Sequence, residues 1–130
     1  MTAEELAWLA AITKIHHNMD KVFLKEGSVT LTPNLLRSWS KQMLSCSREL
    51  ARIGPPSSRL QPVGALLQQA CQVYKKGAAC YIAVIPLLSS SSKQTFVTQK
   101  LDCGTNAEGD GSILLGEAEA KGKEIQLANS

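Results

Sequence analysis

The sequence predicts an all-α protein, an antiparallel bundle of four to five helices with two disulfides. Apolar residues recur at spacings of three and four along most of the chain, as amphipathic helices require, and no segment alternates like a β-strand. Prolines and glycines separate these periodic segments. Four cysteines lie within or at the end of the helical patterns, namely Cys46, Cys71, Cys80 and Cys103.

The composition indicates one folded domain. A chain of 130 residues with 44% hydrophobic and 19% charged residues can bury a core. We assign 1–130 to a single helical-bundle domain, with 85–93 as a linker and 126–130 as a frayed tail. The longest apolar run is shorter than the about twenty residues of a membrane span. The first residues lack a signal-peptide pattern, so if the protein is exported, we expect this sequence to be its mature form.

The first helix is predicted to begin near Ala3. Thr2 and Glu5 form a capping box, in which each side chain accepts from the other residue's backbone N–H. An apolar stripe follows, and Gly27 is expected to end the helix. The stripe consists of Trp8, Ile12, Ile15, Met19 and Val22.

The second helix has equally clear limits. Thr32 is the predicted N-cap and Pro33 the first helical residue, where its missing N–H costs no hydrogen bond. The segment 54–56 (GPP) ends the helix because neither proline can extend it. Its stripe consists of Leu36, Trp39, Met43, Cys46, Leu50 and Ile53.

A third helix is expected to run to Ile85, capped by Ser57 or Ser58, with Pro62 tolerated in its first turn. Its apolar arc is broad, so we predict that it is the most buried helix and lies at the centre. The arc contains Leu60, Val63, Leu66, Leu67, Ala70, Val73, Tyr74, Ala78, Tyr81, Ile82, Val84 and Ile85. The remaining polar strip contains Gln61, Gln68, Gln69, Gln72, Lys75 and Lys76.

The last third of the chain is predicted to hold two shorter helices. Pro86 stops the third helix, and the serines at 89–92 form a loop. A fourth helix, marked by Phe96, Val97 and Leu101, is expected to end at residues 103–104. Three glycines weaken the rest of the pattern, which still indicates a last amphipathic helix. The glycines are Gly109, Gly111 and Gly116, and the helix is marked by Leu114, Leu115, Ala118 and Ile125.

Helical geometry selects one pairing of the cysteines. Cys71 and Cys80 lie about 13 Å apart along one helix and half a turn around it, too far for the about 7 Å that a disulfide allows between Cα atoms. Folding the second and third helices about the proline turn brings Cys46 near Cys71. The turn near Ser89 similarly brings Cys103 near Cys80. We therefore predict Cys46–Cys71 and Cys80–Cys103.

The cysteines could serve in two other ways. A zinc site is disfavoured because the chain has no C-x-x-C motif and neither histidine lies near a cysteine. Buried reduced thiols would instead fit a cytosolic protein. Disulfides favour an oxidising compartment, so we predict a secreted or cell-envelope protein.

The second helix carries a candidate docking face for an anionic partner. Arg37, Lys41, Arg48 and Arg52 fall within about 60° of one another, opposite the apolar stripe. We favour the other interpretation, a solvated face whose charge is partly balanced by an acidic final helix packed nearby, because runs of charge usually keep a helix face in water. Aromatic residues do not interleave with these cations, so we expect no specific nucleic-acid partner.

The sequence provides no catalytic constellation and no cofactor or metal site. His16 and His17 point about 100° apart, and although His16 and Asp20 could hold a metal weakly, we favour a solvent-exposed histidine pair. No base is visible beside a serine, and no glycine-rich phosphate loop is present. We therefore expect no enzymatic activity.

A series of short segments carries a resemblance to a known group of proteins. They are Cys46, 52–56 (RIGPP), 60–63 (LQPV), 70–71 (AC), Tyr74, 77–80 (GAAC), 101–104 (LDCG) and 114–122 (LLGEAEAKG). Over about 31–125 the chain resembles small exported proteins and lipoproteins of actinobacteria. The resemblance implies export and disulfides, and it transfers no catalytic residue. The start of the chain has no lipid-attachment cysteine, which leaves lipid anchoring open.

These observations predict an extracytoplasmic binding or interaction module of unknown ligand, with an unknown protein or an anionic surface as its partner. The alternative is a carrier that holds a small apolar ligand between its helices. A cavity lined by Trp8, Trp39 and Met43 would favour the carrier. A close-packed core would favour the interaction module.

Overall fold

The computed structural model describes residues 1–23 and 30–130 and confirms the all-α bundle with two disulfides. Within these residues there are four α-helices, three short 3-10 turns and no strand. The α-helices are α1 Ala3–Phe23, α2 Pro33–Ile53, α3 Gln61–Val84 and α4 Gln94–Ala128. The 3-10 turns are Ser58–Leu60, Ile85–Leu87 and Ser91–Lys93, the last two within the predicted linker. The predicted end at Gly27 and the side chain of Val22 lie outside the described part of the chain.

The four helices occupy the corners of a bundle in which successive helices are antiparallel. α1 and α3 each pack against both α2 and α4, so α2 and α4 lie at opposite corners. α3 buries more side chains than the other described helices, as predicted, but it occupies a corner instead of the centre. The Met1 amino group donates to the Asn129 carbonyl (3.5 Å), which brings both ends of the chain to one end of the bundle.

The predicted start signals of α1 and α2 form the expected caps. The Thr2 N–H donates to Glu5 Oε1 (2.9 Å), and the Glu5 N–H donates to Thr2 Oγ1 (3.1 Å). Thr32 Oγ1 likewise accepts from the Leu35 N–H (3.1 Å). Gly54 ends α2 with φ of +76°, a left-handed value that glycine adopts without steric cost.

The predicted serine cap of α3 is wrong. Ser57 caps no N–H group, because its hydroxyl donates to Glu5 Oε2 (2.7 Å) across the end of the bundle. A 3-10 turn, Ser58–Leu60, leads into α3 at Gln61 instead. The serine therefore anchors α1 to the α2–α3 turn.

The predicted division of the last third into two helices is also wrong. α4 is one helix of 35 residues that passes through residues 103–104 without interruption. It continues to Ala128 and so includes most of the tail that was expected to fray.

Two glycines of α4 serve close packing and do not end the helix. A Cβ on Gly104 would lie 2.5 Å from Cζ of Tyr81, and one on Gly111 would lie 2.6 Å from Cζ of Tyr74. Both tyrosines are buried side chains of α3. Glycine lets the two helices approach until the rings touch the backbone of α4, and this packing offsets the low helix propensity of glycine.

Both predicted disulfides are present. Cys46–Cys71 joins α2 to α3 with a Cα–Cα distance of 5.2 Å, and Cys80–Cys103 joins α3 to α4 at 6.1 Å. α3 is thus bonded to its neighbour on each side. None of the described helices has the length and apolarity needed to cross a bilayer.

Candidate interaction surface

The outward side of α2 carries the predicted cluster of cations, which we call the basic face: Arg37, Lys41, Arg48 and Arg52. All four side chains are exposed. The opposite side of α2 buries Leu36, Trp39 and Met43 in the core, so packing of the apolar stripe fixes which way the cations point. The basic face is therefore a consequence of the helical period.

Two aliphatic side chains lie among these cations. Leu44 is 45% exposed and Ile82 of α3 is 48% exposed. Both line an open groove of about 350 Å³ between α2 and α3. The groove is lined by Arg37, Ser40, Lys41, Leu44, Ser45, Arg48 and Ile82. A second groove of about 530 Å³, between α1 and α2, includes Lys21 and Arg48.

Sequence reasoning missed these two residues for different reasons. Leu44 follows Lys41 by three positions and precedes Arg48 by four, so the same spacing that identifies the basic face also places this leucine on it. Ile82 was predicted to belong to the buried arc of α3. It is exposed because it faces the outer edge of the α2–α3 contact, where no helix covers it among the described residues.

The cations of the basic face differ in their intramolecular partners. Arg52 pairs with Glu49 (3.3 Å), and Arg37 donates to Oδ1 of Asn34 (3.1 Å). Lys41 and Arg48 form no ion pair with any residue in the described ranges. A partner could therefore contact these two charges without breaking any ion pair between described residues.

The acidic final helix does not balance the basic face. α4 lies at the corner opposite α2, and it packs mainly against α3 and α1. Arg59, in the 3-10 turn Ser58–Leu60, pairs with Glu5 (3.2 Å) at the end of the bundle. The outward side of α2 is thus strongly basic.

His16 lies in a polar cluster between α1 and α4, which corrects the prediction of an exposed histidine pair. Its Nδ1 is 2.5 Å from Glu119 Oε1, and its Nε2 is 3.0 Å from Asp20 Oδ2 and 3.3 Å from Ser112 Oγ. Only 21% of the His16 side chain is exposed, whereas His17 is exposed as predicted. No feature of the sequence indicates this contact, since Glu119 follows His16 by 103 positions.

The geometry of this cluster suits a structural link between α1 and α4. Asp20 and Glu119 lie on opposite nitrogens of the His16 ring, so one metal ion could not bind all three side chains. Across the described residues, no three potential ligands surround a common point. Ser112 stands beside a histidine and a carboxylate in the order of a hydrolase triad. However, it lies in the middle of α4, where the backbone N–H groups bond within the helix and cannot form an oxyanion hole.

The three side chains that were predicted to line a carrier cavity pack against other groups of the protein. The rings of Trp39 and Tyr81 pack with their centroids 5.5 Å apart. Met43 is fully buried, and its methyl group fills the space beside Gly77. Trp8 is buried, and its indole N–H donates to the Gly54 carbonyl (3.1 Å). These side chains form part of the common core.

Comparisons with known proteins give no relative. No protein-family model, no curated protein and no solved structure matches the chain.

Proposed function

We propose that this chain is an extracytoplasmic interaction module without catalytic activity, and that its basic face docks onto an acidic surface of a protein partner. The observation that carries the proposal is the pair of cations, Lys41 and Arg48, that flank the exposed Leu44 and have no internal ion pair in the described chain. Charged residues around an apolar centre match the general design of protein interfaces.

The chemistry of the groove supports a protein partner over a nucleic acid. Leu44 and Ile82 offer aliphatic surface, and the groove has no aromatic ring on which a base could stack. The cations would steer an acidic partner to the surface, and the aliphatic pair would provide the area from which water is excluded.

The disulfides support the proposed location. Two bridges persist where thiols are kept oxidised, as in secreted and cell-envelope proteins. The predicted resemblance to exported actinobacterial proteins agrees with this location.

The packing of the core supports an interaction module over a carrier. Trp39 and Met43 contact Tyr81 and the Gly77 region, so the predicted ligand site is filled by the protein's own side chains.

The docking proposal can be tested with poly-L-glutamate as the probe. Isothermal titration would compare the oxidised parent chain with the double variant Lys41→Ala/Arg48→Ala. We expect affinity to fall about tenfold in the variant, because two exposed charge contacts together contribute about 1.4 kcal/mol. The control, Lys14→Ala/Lys123→Ala, removes the same charge from exposed positions off the basic face.

Equal losses in both variants would show that net charge alone governs binding and would overturn the docking proposal. Phosphatidylglycerol vesicles provide the second arm. Binding to these vesicles without binding to poly-L-glutamate would also overturn the choice of a protein partner.

A further inference from the structure

The outward side of α4 mirrors the basic face with the opposite charge. Its exposed carboxylates are Asp102, Asp110, Glu117 and Glu124, which we call the acidic face. Ile113 lies among them and is 62% exposed. Asp110 and Glu117 form no ion pair with any described residue, as is true of Lys41 and Arg48.

The two faces match in spacing. Leu44 follows Lys41 by three residues and precedes Arg48 by four. Ile113 follows Asp110 by three residues and precedes Glu117 by four. Each pair of charges therefore spans about 10 Å along its helix, with one exposed aliphatic side chain between them.

The bundle presents these faces in compatible directions. α2 and α4 run the same way, because each is antiparallel to α3, and they occupy opposite corners. The two aliphatic centres also lie at similar levels along the bundle. Cys46 is bonded to α3 at a point one turn before Tyr74, and Tyr74 contacts Gly111. Leu44 precedes Cys46 by two residues, and Ile113 follows Gly111 by two residues. The two aliphatic side chains are therefore within about one helical turn of the same level along the bundle.

We infer that the acidic partner of the basic face is α4 of a second copy of this chain. A neighbour placed alongside by little more than a translation sets Leu44 against Ile113, Lys41 against Asp110, and Arg48 against Glu117. This contact rests on the docking role proposed above and gives that role a defined partner. Since the two faces lie on opposite sides of the bundle, two bound copies each leave one face free, and further copies can add to form an open row.

The association is expected to be weak and sensitive to salt. One helix face on each copy provides a small interface, and its charges are exposed. Sedimentation velocity of the oxidised full chain would be measured over a range of concentrations. In about 0.02 M NaCl the Debye length is about 20 Å, and in about 0.5 M it is about 4 Å, so we expect concentration-dependent association only at the lower salt.

Charge reversal provides the decisive experiment. Lys41→Glu/Arg48→Glu makes both faces acidic, and Asp110→Lys/Glu117→Lys makes both faces basic. We expect each variant alone to remain monomeric, and an equimolar mixture to associate again because every contact between unlike copies is then complementary. The control, Lys14→Glu/Lys123→Glu, has the charge change of the first variant but lies outside both faces, and it should associate like the parent.

A parent chain that stays monomeric at low salt would overturn the inference, as would a mixture that fails to associate. Self-association that survives in the Asp110→Lys/Glu117→Lys variant would overturn it too, because the partner surface would then be other than α4. A failure of the docking proposal can be distinguished from a failure of this inference. It stands if the chain binds poly-L-glutamate while remaining monomeric, and it falls if the basic face binds neither probe nor copy.

Discussion

The ring of Tyr74 lies against the backbone of Gly111, where a Cβ atom would stand 2.6 Å from the ring carbon Cζ. Gly109 belongs to the same helix, but a Cβ there would meet no atom within 4 Å. One glycine is therefore required by packing between α3 and α4. The other only lowers the helix propensity of α4.

Alanine at these two positions should have opposite effects on stability. We expect Gly111→Ala to destabilise the fold by about 1–3 kcal/mol, because the added methyl group forces the Tyr74 ring out of its packed position. We expect Gly109→Ala to stabilise it by about 0.5–1 kcal/mol, the advantage of alanine over glycine in a helix. Urea unfolding with the disulfides intact measures both changes. Equal effects of the two substitutions would contradict this packing.

The hydroxyl groups of two buried tyrosines predict a second contrast. The Tyr81 O–H donates to the buried carboxylate of Glu108 at 2.5 Å. The Tyr74 hydroxyl is buried without a hydrogen-bond partner in the described chain. Burial, followed by the nearby charges of Asp20 and Glu108, raises the pKa of Tyr74 well above that of an exposed phenol.

Phenylalanine at each position removes only the oxygen. We expect Tyr81→Phe to cost about 1–3 kcal/mol, because the buried Glu108 loses a donor. Tyr74→Phe should leave stability unchanged or raise it, since no protein hydrogen bond described for that hydroxyl is lost and a buried polar atom is removed. Thermal unfolding compares the two variants with the parent. A larger loss for Tyr74→Phe than for Tyr81→Phe would refute the assignment of these roles.

The sequence predicted the parts of the fold that depend on local spacing. The stripes of α1 and α2 and the caps at Thr2 and Thr32 follow from helical period and capping chemistry. The disulfide pairing also followed. The separation of Cys71 and Cys80 on one helix excludes a bond between them, and the turns on either side of that helix bring Cys46 near Cys71 and Cys103 near Cys80. The continuity of α4 did not follow. Gly104 could end a helix or leave room for an aromatic ring to pack against the backbone. Which of these occurs depends on the side chain that a different helix places opposite it.

The candidate surface was predictable to the same extent. The basic face required only spacings of three and four on one helix, and the same rule would have identified Leu44. The position of α4 opposite α2 required the order of helices around the bundle. The contact of His16 with Glu119 required the alignment of the first helix with the last. Local patterns contain neither kind of information.

The two disulfides should each contribute substantially to stability. Their sequence separations are 25 and 23 residues, for which the chain-entropy model gives about 3.5 kcal/mol each. We expect Cys46→Ser/Cys71→Ser and Cys80→Ser/Cys103→Ser to lower the free energy of unfolding by comparable amounts, measured in urea. The intact mass of the parent should rise on reduction by two hydrogens for each bridge. An unchanged mass would show that the purified protein lacks these bonds.

The carboxylate of Glu5 should make stability depend on pH in the acid range. The Thr2 backbone N–H and then the Ser57 hydroxyl donate to this carboxylate, with the Arg59 charge as a smaller contribution, and they lower its pKa from 4.5 to about 2. A depressed pKa means that the folded state favours the ionised group. Its contribution is therefore complete above the ordinary pKa of about 4.5 and is lost as the pH falls towards about 2.

Glu5→Gln isolates this contribution. We expect the variant to unfold at a lower urea concentration than the parent at neutral pH, because a neutral amide accepts the Ser57 and Thr2 hydrogen bonds less strongly and attracts no Arg59 charge. The difference in urea midpoint should narrow as the pH is lowered from about 4.5 towards about 2, where the parent carboxyl also becomes neutral. Glu4→Gln, at an exposed position in the same turn, controls for loss of negative charge near the start of α1. A midpoint difference that stays constant from neutral pH to about pH 2, or one that Glu4→Gln reproduces, would show that ionised Glu5 does not hold the α2–α3 turn against α1.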